Sequence, residues 1–597
     1  MIGIVESAEE DDVNNALNHR VRRPVAVGLL AVAALIGGTV PPGQAASPPS
    51  AGTRSVPAIQ PLKPHFTQAV AHDVSAPLSI LAKRAQARSF TAPRVSPERG
   101  SRVAPPPAGG FTGDPAVQEK GASGARSTFP IQNFEAQSNQ DNFDAYGFRV
   151  NPPDSNGDVG PTQYVEMVNL VFSVYSKTGK TKLGPTPIGA LWEGFSIPDC
   201  TDPSGDPVVL YDPLANRWIL TQFTTSGFSD PTLPFYNCVA VSKSGNATGR
   251  YYRYAFTTGF NFPDYPKYGV WSNSYVATTR EFGPTTEYGI GVYALEKAKM
   301  LQGKPARAAS FFIDGNKPRL LPLIGDGLLP ADIDGSRNPP RDSAIPLLGS
   351  QDDNWSYGAT SDALNVWDLR VHWSNRPTAS LELADQLSVK PFDTAFPCMP
   401  DSRDCLPQPG ITDPAQYLDT LATRQRLTFR LAYRNFGSYE SLVTNQTVEA
   451  RDHIAGVRWY EVRRNAQGAY SVFQQGTYSP NDGINRWMGS IAQDKRGNLA
   501  LGYSVVNGTD IYPGIRFTGR FAGDPLGKMT LKEGIIISGS GVQTSTNSRW
   551  GDYTDMTVDP VDDCTMWYVN EYYTAASKAS SSVSWLTRIA SLKMPGC

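Results

Sequence analysis

Histidine is almost missing from this chain, with 5 in 597 residues. His372 belongs to the alternating stretch Val366 to Trp373, and His453 to a polar turn before Gly456, so neither carries an obvious catalytic setting. No Gly-x-Ser-x-Gly elbow stands on a strand-to-helix turn, which argues against a Ser-His-Asp hydrolase. Phosphate-loop and dinucleotide fingerprints are missing as well. The cysteines never fall at C-x-x-C spacing, so a zinc site is not expected. Net charge is only −2, without the basic face that nucleic acid would require. The single long apolar run, Val25 to Ile36, is shorter than the about 20 residues needed to span a bilayer. Helical periodicity is nearly absent too, with Leu295 to Leu301 and Pro414 to Ala422 the short candidates.

That apolar run follows Arg20, Arg22 and Arg23 and ends at Gly37, Gly38, Pro41 and Pro42. Gly43-Gln44-Ala45, or Ala46 just beyond, supplies small residues for cleavage, so 1–46 is expected to be a secretory signal peptide. The alternative is an uncleaved anchor. An even set of 6 cysteines in an exported chain implies disulfides, and closeness in sequence suggests Cys200–Cys238, Cys398–Cys405 and Cys564–Cys597. Residues 47–128 are rich in Pro, Ala, Ser, Gly and Arg, with Pro105-Pro106-Pro107 and Gly109-Gly110 typical; a disordered leader is expected there. The ordered domain is expected over 129–597, in an extracellular or periplasmic monomer with no stable membrane insertion after cleavage.

The rest is a turn-rich β composition, with 54 Gly, 49 Pro, 11 Trp, 26 Tyr and 25 Phe. Short apolar strands flank tight turns. Val208 to Tyr211 and Trp218 to Phe223 enclose Asp212-Pro213; Met556 to Val569 folds about Asp559-Pro560. Gly205-Asp206, Asp212-Pro213 and Trp218 recur as Gly551-Asp552, Asp559-Pro560 and Trp567. Related units begin near Gly157, Gly205, Tyr268, Tyr357, Phe429, Gly489 and Gly551. Their recurrence predicts an all-β fold, a β-propeller of about seven blades, over a pair of sandwiches.

Several segments carry a resemblance. They are Pro152-Pro153-Asp154-Ser155-Asn156-Gly157-Asp158-Val159-Gly160-Pro161, Gly205 to Asp212, Asp264-Tyr265-Pro266-Lys267, Gly456 to Glu461, Arg486 to Ile491, and Arg549-Trp550-Gly551-Asp552-Tyr553. Across nearly all of 129–597 the chain resembles a family of secreted bacterial proteins of sialidase-like β-propeller type. The Ser-x-Asp-x-Gly-x-Thr-Trp box of sialidases themselves is absent, so sialidase activity does not come with the resemblance.

Equivalent positions of repeated blades share one rim of the channel. Asp206, Asp552 and Asp264 are therefore the candidate catalytic carboxylates, since paired carboxylates serve as acid, base or nucleophile in glycoside hydrolysis. The competing reading is that such Asp residues cap tight turns. Arg458, Arg486, Trp487, Arg516, Arg549 and Trp550 are candidate substrate-binding residues. Aromatic faces stack on sugar rings, and Arg458, Arg516 and Arg549, if convergent, would grip the carboxylate of an acidic sugar. Interblade salt bridges are the alternative. Asp154, Asn156 and Asp158 place hard oxygens at alternate positions, as in half of a calcium loop, so calcium is a possible cofactor; an Asx turn is the alternative. The expected partner is an extracellular glycan. Two functions remain open: a glycoside hydrolase, or a non-catalytic recognition disc.

Overall fold

The structure, a computed structural model, describes residues 3–5, 59–85, 113–122, 126–353, 357–394, 405–420, 425–451, 453–545 and 547–597. The expected signal peptide lies outside them except for Gly3–Val5, which pairs with Arg149–Asn151.

The fold is a β-propeller. Seven four-strand units are found among the described residues, with innermost strands Asn156–Val159, Val209–Asp212, Phe262–Val270, Leu329–Ile333, Thr428–Asn435, Asn485–Gln493 and Asp555–Val558. Each innermost strand neighbours the next in that order, and the last returns to the first, so the ring closes. The units are called blades one to seven below. Blades four and five fuse into one sheet because Ala331–Ile333 pairs in parallel with Leu431–Tyr433. Blade four begins at Leu329, not near Tyr357, which lies between its second and third strands.

Local chemistry explains the hairpins. Asp212 accepts the amides of Leu214 and Ala215, and Asp494 those of Arg496 and Asn498, so each aspartate closes its own turn. Blades pack face against face, so central strands are covered on both sides. Gly289–Glu296 is buried at every position, which is why polar alternation is weak there. Aromatic pairs bridge or stiffen the blades: Tyr164 of blade one meets Trp567 of blade seven at 5.5 Å, and Tyr211 meets Trp218 within blade two at 5.1 Å.

Polar side chains staple the innermost strands across the channel. Asn156 accepts the amide of Val209 at 2.9 Å and donates to the carbonyl of Pro207 at 2.6 Å. Asp158 accepts the amide of Tyr211, Asp332 that of Val270, and Ser490 Oγ that of Met556. Arg430 ion-pairs with Asp332 at 2.7 Å and Asp334 at 2.8 Å. Asp158, Asp332, Asp334, Arg430 and Asp555 are all buried, so side chains fill this part of the channel.

The fourth strand of blade seven is Gln132–Ser138, supplied from far upstream of the other three. Parts of the leader are ordered as well, which corrects the expectation of disorder over 47–128. His65–Gln68 adds a fifth strand to blade three and Ala71–Val74 a fifth to blade two. Arg253 binds Asp73 through two hydrogen bonds. The helix Leu78–Ala85 then buries Leu78 and Leu81. Val117–Gln118 extends blade five, and Asp114 pairs with Arg458 at 2.9 Å with both side chains wholly out of water. The short helices expected near 295 and 414 shrink to Lys297–Met300 and the 3-10 turn Pro414–Gln416.

Cys200–Cys238 and Cys564–Cys597 are bonded as expected. Cys398 lies outside the described residues. No helix among the described residues is long and apolar enough to cross a membrane.

Candidate active site

The chain turns into blades one, two and three through residues in left-handed backbone conformations: Asp154 at φ 50°, Asp206 at φ 41° and Tyr265 at φ 51°. A left-handed residue other than glycine costs about 1–2 kcal/mol. Such strain is held by surrounding structure and clusters at functional sites. Here it swings Asp154 and Asp206 toward Asp552, and the three carboxylates bring oxygens within 4.8 Å of one another. All three residues are buried.

Each is tuned differently. Asp154 accepts the amide of Asp552 at 2.7 Å and the side-chain amide of Asn169 at 2.7 Å. Burial and the neighbouring Asp552 raise its carboxyl. Asp206 donates its backbone amide to Asn169 at 2.9 Å, but neither carboxyl oxygen has a hydrogen-bond partner. Burial, reinforced by Asp154, Asp264 and Asp552, lifts the Asp206 carboxyl to about 8. Burial also opposes the charge of Asp552, yet the guanidinium of Arg549, bonded to its Oδ1, outweighs it and holds Asp552 well below the usual carboxylate range. Glu571 accepts the amide of Gly551 and is pushed well up by burial.

Lys267 stands beside this cluster. Its Nζ lies 3.2 Å from the ring centroid of Tyr265 and 3.1 Å from that of Tyr553. The residue is 2% exposed and the ammonium has no hydrogen-bond partner. Burial drives its pKa well down, against the pull of Asp552 and Asp206. A hollow of about 10 Å³, the size of one water, touches Lys267, Arg280 and Arg426. The carboxyl groups of Asp154, Asp206, Asp264, Asp326, Asp419, Asp552 and Glu571 gather with the basic groups of Lys267, Arg280, Arg426 and Arg549; because Asp154, Asp206 and Glu571 are all raised, the count of groups does not by itself make the site acidic.

Of the candidate catalytic residues, Asp206 and Asp552 come together. Asp264 lies close enough to act on Asp206 electrostatically, but its carboxylate is paired with Arg280 at 3.2 Å. The candidate binding residues are mostly employed elsewhere. Arg458 pairs with Asp114; Arg486 and Arg516 share Glu533 at 2.9 and 2.7 Å; only Arg549 reaches the acidic cluster. The three arginines therefore do not converge, and the acidic-sugar expectation is corrected. Trp487 and Trp550 pack edge-to-face at 5.0 Å in the core and offer no face to a ligand. The half calcium loop is corrected too: Asn156 and Asp158 are bound to blade-two backbone, and Asp154 alone turns into the site. The spacing of Asp154, Asp206 and Asp552 would suit a hard cation, but Arg549 already occupies an oxygen of Asp552.

Sequence reasoning passed over Lys267, Tyr265, Tyr553 and Glu571. The first two lie in the recurring segment Asp264-Tyr265-Pro266-Lys267, where a charged residue after proline on an apolar strand was the available signal.

No family model matches the sequence, and no curated protein does. Among solved structures, the endo-arabinase from Bacteroides thetaiotaomicron VPI-5482 aligns at 12% identity, covering 54% of this chain and 95% of that one, with a TM-score of 0.25. The B. megaterium levansucrase mutant Y247A aligns at 10% identity over 55% and 80% of the two chains, TM-score 0.30. The Penicillium chrysogenum α-L-arabinanase complexed with arabinobiose aligns at 9% identity over 56% and 94%, TM-score 0.29. Superpositions this partial assign neither a reaction nor a residue.

Proposed function

We propose that the chain is a secreted glycoside hydrolase acting on an extracellular or cell-wall glycan. The observation that carries this reading is the opposed tuning of Asp206 and Asp552. One carboxyl is held protonated at neutral pH and the other ionised, with oxygens within 4.8 Å. Pairs of carboxyls pushed apart in this way divide the roles of acid and base. Asp206 would protonate the glycosidic oxygen, and Asp552 would face the anomeric carbon. Asp264, neutralised by Arg280, shapes the field and does not react.

In the conformation described, the carboxylates are out of water, so turnover requires the wall of residues that covers them to part. That wall and the filled channel favour a second reading, a non-catalytic recognition disc for glycans. A depolymerisation screen on the mature chain, run beside Asp206→Asn, tests both. Release of reducing ends by the wild type and not by the variant supports the hydrolase. Binding to a glycan without cleavage supports the disc.

A further inference from the structure

Asn169 lies on the turn between the strands Gln163–Met167 and Val171–Ser176 of blade one, is wholly buried, and spends every polar group it has. Its backbone amide donates to the carbonyl of Pro153 at 2.7 Å. Its carbonyl accepts Nδ2 of Asn142, from the helix Asn139–Tyr146, at 2.6 Å. The side chain works between two blades. Oδ1 accepts the backbone amide of Asp206 at 2.9 Å, while Nδ2 donates to Asp154 Oδ2 at 2.7 Å and to the carbonyl of Pro152 at 3.1 Å. These partners fix the carboxamide one way round, because an amide N–H needs an acceptor and a carboxylate a donor. Asp154 Oδ1 in turn accepts the amide of Asp552 at 2.7 Å. An unbroken chain of hydrogen bonds therefore runs from Asp206 through Asn169 and Asp154 to Asp552. Both residues that Asn169 grips stand in left-handed conformations, Asp154 at φ 50° and Asp206 at φ 41°. Such conformations persist only where the surroundings over-determine them. The carboxyl oxygens of Asp206 make no hydrogen bond, so the side chain is aimed through its backbone, and the backbone amide is held by Asn169.

We propose that Asn169 is a positioning residue, whose carboxamide sets the spacing of Asp206 and Asp552 by holding the Asp206 backbone at one end and the Asp154 carboxylate at the other. The proposal rests on the reading of Asp206 and Asp552 as acid and partner. It adds to that reading the residue that aligns them. Asn169 itself touches no reacting atom; it acts through the two aspartates.

The test compares the full secreted chain with Asn169→Ala, which removes the bridge, and Asn169→Asp, which keeps its shape. A protonated aspartic acid at this position offers one acceptor and one donor, as the bridge requires; once ionised it loses the donor and sets a like charge against Asp154. The first readout is glycan hydrolysis from pH 5 to 8. In Asn169→Ala kcat should fall about a hundredfold with KM little changed, the cost of a misplacement on the order of 1 Å. In Asn169→Asp activity should return at pH 5 and be lost again by pH 8. The second readout needs no turnover: the pH dependence of stability that Asp206 supplies, taken as the difference between chains with and without Asp206→Asn in each background. The groups facing Asp206 are Asp154, Asp264, Asp552, Lys267 and Tyr553, and none is altered. That share should fall to about half or less in Asn169→Ala, because a released Asp206 leaves the cluster. Loss of stability with an unchanged pH profile and an unchanged Asp206 share makes Asn169 a structural residue and overturns the proposal, as does a wild-type kcat in Asn169→Ala. Should Asn169→Ala not fold, both readouts are taken on Asn169→Asp; a chain that folds with neither substitution overturns the proposal too. No cleavage by the wild type removes the hydrolase reading, and the Asp206 share then decides this one alone. Cleavage indifferent to Asn169 leaves the hydrolase and removes the positioning role.

Discussion

The backbone amide of Asp552 donates to Asp154 Oδ1 at 2.7 Å, although 398 residues separate the two in sequence. That bond joins the beginning of blade one to the approach to blade seven at the point where the ring meets itself. Asp552, the candidate partner of the acid Asp206, is therefore held at the closure of the disc.

The two central aspartates should respond differently to neutralisation. Asp206 carries a proton at pH 7 and has no donor to lose, and a neutral amide is free of the cost of keeping that proton, so Asp206→Asn should hold or raise stability at pH 7 while abolishing turnover. Asp552→Asn removes the carboxylate bonded to the buried Arg549 and should cost about 3–5 kcal/mol. Chemical denaturation beside an activity assay on both variants checks this. Equal losses of stability would contradict the opposed tuning.

Stability should fall with rising pH through Asp206. Below its ordinary value of 3.8 the carboxyl is protonated in both folded and unfolded chains. Between there and about 8 the folded chain keeps a proton that the unfolded chain releases, so raising the pH favours unfolding. The slope from one such group is at most about 1.4 kcal/mol per pH unit. Asp206→Asn should flatten the decline between pH 5 and 8 by a measurable part of that slope. A variant as steep as wild type would remove Asp206 from the account.

Much of the ring is legible in the sequence because its turns are local. Asp212-Pro213 and Asp559-Pro560 each close a hairpin with side chains a few residues away. Gln132–Ser138 is not legible, since an outermost strand half exposed to water needs no apolar pattern. The leader strands His65–Gln68 and Ala71–Val74 escape for the same reason. Asp206 and Asp552 can be placed on one rim from their shared hairpin design. The burial of Trp487 against Trp550 depends on the packing of adjacent blades, and the pairing of Arg486 with Glu533 joins the first and last strands of blade six; spacing encodes neither.

Chelation should leave the chain unchanged. Asp552 is already met by Arg549, so EDTA or added calcium should shift the melting temperature by less than about 1 °C. A shift of several degrees that Asp206→Asn abolishes would show that a cation holds the cluster.

The ordered leader should matter for stability. A chain beginning at Phe129 lacks Asp114, so the buried Arg458 loses its carboxylate, and blades two and three lose their fifth strands. Asp114→Ala alone should cost about 3–5 kcal/mol, read by denaturant titration. A truncated chain that melts like the full one would assign the leader no role in stability.

Loss of Cys564–Cys597 should weaken blade seven. The residues are 33 apart, and closing a loop of that size contributes about 3–4 kcal/mol in chain-entropy terms. Cys597→Ser should lower the denaturation midpoint accordingly, and an unchanged midpoint would assign the disulfide no role in stability.

The strand Gln132–Ser138 pairs with Leu586–Lys593, whose last residue stands four before Cys597. A ribosome must therefore pass Leu586 before the disc can shut. Until then, an early strand waits for a partner that does not yet exist. The same seam that completes the ring therefore delays its completion until the last strand of blade seven has been made.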